Sequence, residues 1–336
     1  MKLIYAGSVK NLYQDADPAI VWFEYTDDYS VFDWGKMPDP IPGKGEALAR
    51  LGEFFFRELE NPRRWEELGV ARQPDVAAHL PIRHHFLERQ GARLKMLRVD
   101  VPRPRPVSIG GALVYDYSYP PAPRQLLPLE VIFRFGVPKG SNLLTRRDWY
   151  AFPIHEGTEF DEPLVEFSTK LESKDRMLHY QEAALILKGR ADLLAQVHGK
   201  TRAIALFLRA LFARRGLKLW DGKVEWASMD GGLCLVDSIG PDELRVSQGD
   251  AVLSKQFLRD HYLGSPWEQA LVKAKALAQA RGTSDWKPIV REELKQQPAP
   301  LPAPYLAAAR ALYEDFATLL VDGQPATRFA EAVKKL

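Results

Sequence analysis

The chain has 336 residues, 46% hydrophobic and 27% charged, with a formal net charge of +2. That length exceeds what one compact core ordinarily needs, so two lobes are expected, and the composition is that of a globular chain rather than a disordered one. The near-neutral balance gives no sequence-wide affinity for nucleic acid or an anionic membrane, and no apolar run approaches the ~18–20 residues of a bilayer span.

The N-terminal residues Met1 to Gly7 carry no apolar region of signal-peptide length, so a soluble, cytoplasmic protein is expected. Residues 1–33 read as a short β-meander: Lys2-Leu3-Ile4-Tyr5, then Asn11-Leu12-Tyr13, then Ala19 to Tyr25, with turns at Gly7-Ser8 and Asp15 to Pro18. Pro38 to Gly45 is a loop, and Leu48, Leu51, Phe55 and Leu59 recur at helical spacing after it. Residues 61–95 are charged and hold His79, His84 and His85, but neither carboxylate nor cysteine completes a metal-ligand spacing there. The prolines at 102, 104 and 106, followed by Pro120, Pro121 and Pro123, predict an extended connection with a loop at its far end.

Leu126 to Phe135 has the character of a buried strand, and Tyr180 to Arg215 that of one long amphipathic helix. Leu217 to Ala227 and Gly232 to Ile239 are two strands whose connection contains Asp230-Gly231, a hairpin signal. Beyond about residue 255 the chain is helical, with a proline-rich interruption at Gln297 to Pro304. Strands, then mixed elements, then helices make the fold class α+β rather than a doubly wound sheet. Cys234, the single cysteine, lies in an apolar run and reads as a buried, inert thiol in a reducing compartment.

Strand alternation puts Asp221, Lys223 and Glu225 on one face. Charges on an otherwise apolar strand need partners if buried, and Glu225 with Asp237 of the next strand can reach a divalent cation carrying phosphates. The bland alternative is a solvated face with internal ion pairs. The turn Gly7-Ser8-Val9-Lys10 offers backbone amides and a cation to phosphates, although it is neither a Walker A nor a dinucleotide-binding sequence. Arg134 through Ser141 combines a guanidinium, glycines and a hydroxyl suited to a carboxylate or phosphate, and Asp33 ends an acid-rich stretch after the first sheet. Read alone, each of these turns is equally an ordinary turn.

Taken in order, these segments resemble the SAICAR synthetase family across residues 2–262. The family's opening glycine-lysine turn matches Tyr5 to Tyr13, and its Ser-Ala-Phe-Asp type motif matches Asp28 to Asp33. Its Pro-Gly-Lys-Gly loop matches Pro42 to Gly45, and its Pro-Leu-Glu-Val strand with arginine and Gly-Ser matches Pro128 to Ser141. Ser168-Thr169-Lys170, Asp221 to Glu225, and Asp237 to Arg245 resemble the family's later motifs.

The resemblance implies an N-terminal antiparallel sheet lobe (residues 1–125) and a larger α+β lobe with a helical C-terminal extension (residues 126–336), holding ATP in the cleft between them. It also implies an ATP- and Mg²⁺-dependent ligase that joins L-aspartate to carboxyaminoimidazole ribotide through an acyl phosphate. The implied roles are Lys10, Gly7, Lys170 and Glu130 at ATP, and Glu225 and Asp237 at the metal. Arg134, Ser141, Arg245 and Asp33 are implied at the ribotide, and Lys223 and Asp221 beside the reacting centre. A paralogue acting on another carboxylated heterocycle, and a nucleotide-binding protein without ligase activity, are the alternatives.

The pattern departs from the family in two stretches: the first turn reads Gly7-Ser8-Val9-Lys10 where the family commonly has two lysines, and the segment after Asp237 differs. The family places Glu directly after the acid aligned with Asp237, where this chain has Ser238, and its Pro-Asp-Ser-Ser-Arg signature reads Pro241-Asp242-Glu243-Leu244-Arg245. Losing hydroxyl donors and gaining a carboxylate is expected to weaken a phosphate pocket if those side chains face it. Extra residues relative to many members lie around 60–80 and beyond about 280.

Overall fold

The protein was described from a computed structural model covering residues 1–110, 112–172 and 174–336. β1 (Lys2–Ala6), β2 (Lys10–Gln14) and β3 (Ile20–Tyr25) form the expected meander. Asp27 accepts from the Gly43 and Gly45 amides (3.2 and 2.9 Å), fixing the start of α1 (Lys44–Glu60). A Cβ at Gly45 would sit 2.5 Å from the Tyr25 carbonyl oxygen, so only glycine permits this approach. Leu48, Leu51, Phe55 and Leu59 of α1 are all buried.

The charged segment that follows is α2 (Pro62–Glu67), a 3₁₀ turn and α3 (Pro74–Ala77). It leads into β4 (Phe86–Gln90) and β5 (Arg93–Leu97), which complete a five-stranded antiparallel sheet in the order β1-β2-β3-β5-β4. The proline-bearing stretch after it is not a simple extended connection. It forms a two-stranded ribbon, β6 (Arg105–Ile109) and β7 (Ala112–Asp116), because its prolines sit where no ladder amide is needed.

β8 (Arg124–Gly136), β9 (Glu159–Thr169) and β10 (Met177–Leu178) begin the second sheet. The long helix expected over 180–215 is two helices, α4 (Tyr180–Ile186) and α5 (Ala191–Ala213). Lys188 and Gly189 adopt left-handed conformations (φ 60° and 75°), and the Gly189 amide reaches back to the Ala184 carbonyl, ending α4. β11 (Lys218–Met229) and β12 (Gly232–Val236) are joined by Asp230-Gly231, both at positive φ (48° and 79°), as a two-residue hairpin requires. β13 (Leu244–Gln248) and β14 (Ala251–Val252) finish the seven-stranded sheet, β10-β9-β8-β11-β13-β14 with β12 also on β11.

The C-terminal third contains α6 (Gln256–Tyr262), α7 (Pro266–Ala280), α8 (Ala303–Ala317) and α9 (Arg328–Val333). α5 covers one face of the second sheet, where Trp226 is fully buried and donates to Thr201 Oγ1 of the helix (2.9 Å). Truncating such a ring costs about 3–5 kcal/mol. Phe55 of α1, Phe212 of α5 and Phe316 of α8 meet ring to ring at 5.9 Å, so N-terminal, central and C-terminal helices share one core. The sheets are stitched together by residues 83–85: the His85 amide donates to the Leu235 carbonyl, and the Leu235 amide to that of Arg83. Among the described residues, no helix is long and apolar enough to cross a membrane.

Candidate functional site

The site is built on a split in the second sheet. β11 pairs with β13 over Lys218–Gly222 and with β12 over Glu225–Met229. The loop 237–243 rises where the two partners part, its Glu243 carbonyl accepting from the Lys223 amide (3.1 Å). The period of two then aligns the charged residues. Asp221 sits opposite Arg134 and Arg245, and Glu225 opposite Glu130.

These side chains form two groups. In the first, charges alternate in a row. Lys10 pairs with Asp237, Lys170 Nζ lies 2.6 Å from Glu225 and 3.6 Å from Glu130, and Lys223 pairs with Glu130. Burial disfavours the charged Lys10 and Lys223, yet their carboxylate partners outweigh it and raise both pKa values. Burial and the neighbouring Asp237 push Glu225 up, whereas for Asp237 burial is outweighed by Lys10 and Lys170, which hold it low. Asp237 has a left-handed backbone (φ 68°). His85 anchors its carbonyl (Nε2 to O, 3.2 Å), and burial lowers the His85 pKa to about 4, leaving a neutral ring whose Nε2–H donates.

In the second group, Arg134 spends its donors on protein: Glu166 (2.6 Å), Asp221 (3.0 Å) and Asn142 (2.8 Å). Asp221 also accepts two bonds from Arg245, one of them 2.8 Å from Nε. Asp221, read from sequence as a group beside the reacting centre, is therefore clamped between two guanidiniums. Burying such charges is tolerable only because each is paired.

A cavity of about 360 Å³ opens beside both groups, lined among others by Glu130, Arg134, Lys223, Glu243 and Arg245. Its far wall contains Lys255 and Arg259, which sequence reasoning missed. Burial depresses the pKa of each, and among the described residues neither has a carboxylate within ion-pair distance. They lie four residues apart at the start of α6, a spacing that puts two cations on one helix face and was the available signal.

Asp33 also lines the cavity, with an exposed side chain and a left-handed backbone (φ 62°). Ser141 is not on the wall. Its neighbours Gly140 and Asn142 are, while its hydroxyl turns to the Leu143 amide and caps a 3₁₀ turn, satisfying a local donor first. Gly7 donates its amide to the Lys10 carbonyl, and a Cβ there would lie 2.4 Å from that oxygen, so glycine is required to close the hairpin that presents Lys10. Lys44 of the Pro-Gly-Lys-Gly loop is wholly buried, 3.3 Å from Asp242 and over the Tyr313 ring, and does not face the cavity.

The sequence model of the SAICAR synthetase family matches residues 3–274. The chain belongs to the SAICAR synthetase family. A protein of Archaeoglobus fulgidus, provisionally named phosphoribosylaminoimidazole-succinocarboxamide synthase, is 31% identical over 325 residues, spanning 92% of each chain. The phosphoribosylaminoimidazole-succinocarboxamide synthase of Thermoplasma volcanium is 27% identical over 296 residues, 82% of this chain and 88% of its own. Among solved structures, the SAICAR synthase of Saccharomyces cerevisiae complexed with SAICAR superposes with a TM-score of 0.61 at 19% identity, covering 97% of this chain and 96% of that one. A SAICAR synthetase in complex with ADP gives 0.56 at 24% identity, covering 88% and 99%. The SAICAR synthetase fold is thus the α+β architecture described above.

Proposed function

We propose that this chain catalyses the ligation for which its family is named: ATP-dependent joining of L-aspartate to carboxyaminoimidazole ribotide, giving SAICAR in purine biosynthesis. The observation that carries the reading is the junction of a row of lysines and carboxylates with a cavity where, among the described residues, Lys255 and Arg259 have no carboxylate within ion-pair distance. The row suits a triphosphate, and the cavity a second, anionic substrate.

The residues present fit magnesium. Glu225 on β11 and Asp237 just past the end of β12 offer oxygen donors side by side, and burial together with the charge of Asp237 raises Glu225. Among the described residues no group of three or more His, Cys, Asp or Glu side chains could hold a metal ion, so phosphate oxygens and water would complete the shell, as is usual for Mg²⁺. Bound there, the ion would neutralise charge on the transferring phosphoryl group.

The chain's own residues do the rest. Lys10 and Lys170 exchange their carboxylates for phosphate oxygens, under the Gly7–Lys10 hairpin. Arg245, Lys255 and Arg259 hold the ribotide phosphate. Lys223, released from Glu130, steadies the ribotide carboxylate as it takes the γ-phosphoryl group and gains a good leaving group. The aspartate amine then displaces phosphate to form the amide. Arg134 and Asp221 orient Arg245. The rate gain comes mainly from positioning and fixed charge.

The test is ADP release by purified protein with Mg-ATP, L-aspartate and the ribotide, omitting each in turn. ADP and succinocarboxamide appearing only in the complete mixture is the expected result. ATP binding without turnover would reject the substrate assignment.

A further inference from the structure

The loop 237–243 carries two departures from the family pattern, and the fold brings them together. Ser238 stands where the pattern has glutamate, and Glu243 where it has serine. The loop turns at Gly240, whose carbonyl accepts from the Glu243 amide (3.1 Å), and Ser238 Oγ lies 3.4 Å from Glu243 Oε1. One hydroxyl and one carboxylate thus meet in this loop, each at a position where the family pattern has the other type.

The carboxylate has a defined place. Glu243 lines the cavity beside Lys223 and Asp242, and the charges acting on it are Asp242 and Asp237 against Lys10 and Lys223. It therefore stands where the phosphate end of the site meets the cavity. The groups proposed above to hold phosphate there are all cations, and a carboxylate has nothing to offer a phosphate.

We propose that Glu243, steadied by Ser238, holds the ammonium group of the incoming aspartate, the pair being an exchanged form of the family's glutamate–serine pair. The proposal rests on the ligase reading. Of the three substrates in that reading, ATP and the ribotide bring phosphates and a carboxylate, and the aspartate ammonium is the one strongly basic group. Held by Glu243, the nitrogen lies beside the place where the acyl phosphate forms, next to Lys223. Charge-assisted hydrogen bonds of this kind are the strong ones.

The experiment measures KM for all three substrates, and inhibition by L-malate, which keeps both aspartate carboxylates but replaces the amine by a hydroxyl. Wild type, Glu243→Gln, Glu243→Ser and the double variant Ser238→Glu/Glu243→Ser are compared. Glu243→Gln is expected to raise the aspartate KM about tenfold or more. ATP and ribotide KM and malate inhibition stay within about twofold. The double variant recovers most of what Glu243→Ser loses.

An unchanged aspartate KM, malate inhibition weakened in parallel, or a double variant no better than Glu243→Ser each overturns the assignment. A shift in the Mg²⁺ requirement without a change in aspartate KM also overturns it and moves Glu243 to the metal. A wild-type protein that forms no succinocarboxamide sinks the ligase reading itself. The isosteric glutamine keeps the test readable if the serine variants fold poorly.

Discussion

Two ion-pair networks flank the cavity, and they differ in what they leave free. Around Arg134 every guanidinium nitrogen is committed: Glu166, Asn142 and Asp221 surround a side chain only 3% exposed, and Asp221 in turn binds Arg245. Along Lys10, Asp237, Glu225, Lys170, Glu130 and Lys223, by contrast, one or two contacts link each flexible lysine to carboxylates. A lysine holding one partner can trade it for a phosphate oxygen, whereas a forked arginine holding three groups cannot move without stranding a buried charge. The first network is scaffold. The second is a resting state that substrates and a metal are expected to rearrange.

The largest effect should come from breaking the scaffold. Asp221→Asn removes the carboxylate shared by Arg134 and Arg245, and losing one member of a buried pair costs about 3–5 kcal/mol. Denaturant unfolding at neutral pH checks this. A loss below about 1 kcal/mol would mean that Glu166 alone holds Arg134, and the contrast between the networks would disappear.

Breaking the second network should leave stability nearly intact and remove activity. Glu225→Gln takes away one of the two carboxylates proposed to hold the metal while relieving its repulsion with Asp237. Metal stabilisation of a phosphoryl transfer is worth several kcal/mol, so ADP release should fall about 10²-fold or more. Turnover within twofold of wild type would take Glu225 out of the metal site.

An intermediate case sharpens the comparison. Asp242 is held by Lys44 and by the Tyr313 hydroxyl (2.7 Å), on a helix beyond the end of the family match. Burial opposes the charge on Asp242, but Lys44 and Lys255 outweigh it and keep its pKa low. A hydrogen bond to a charged group is worth roughly 1.5–3 kcal/mol. Tyr313→Phe should lower stability by about that much and raise the ribotide KM several-fold, because the 237–245 segment loses its outer tether. Unchanged kinetics with lowered stability would make the C-terminal helix a prop for the core alone.

Which parts were legible in the sequence follows from the range of the interactions. The charged face of β11 was readable because strand alternation is local, and the hairpin was readable from Asp230-Gly231. The single helix expected over 180–215 failed because apolar periodicity runs through Lys188-Gly189, where two left-handed residues break it. Ser141 sits off the cavity wall because a hydroxyl near a glycine serves its own turn as readily as a ligand. Lys255 and Arg259 escaped because two cations on a helix face look like solvated surface until the cavity is seen beneath them. The pairing of Ser238 with Glu243 depends on a loop closing across the split sheet, and no local pattern encodes that.

The smallest effect belongs to the far end of the same hairpin, beyond the charged row on the same face of β11. Cys234 pairs with Ala227 across the hairpin and packs with Leu126, Met229 and Val236, and burial pushes its thiol pKa up to about 12. A thiol so placed is scarcely ionised at pH 8, and the thiolate is the reactive form. The folded protein should resist a thiol-specific reagent that labels it fully once unfolded. Cys234→Ala should cost about 1 kcal/mol of stability, the ordinary size for a small core truncation, with turnover unchanged. Rapid labelling of the native protein, or lost turnover in a folded Cys234→Ala, would bring this apolar end into the chemistry and erase the division of labour along β11.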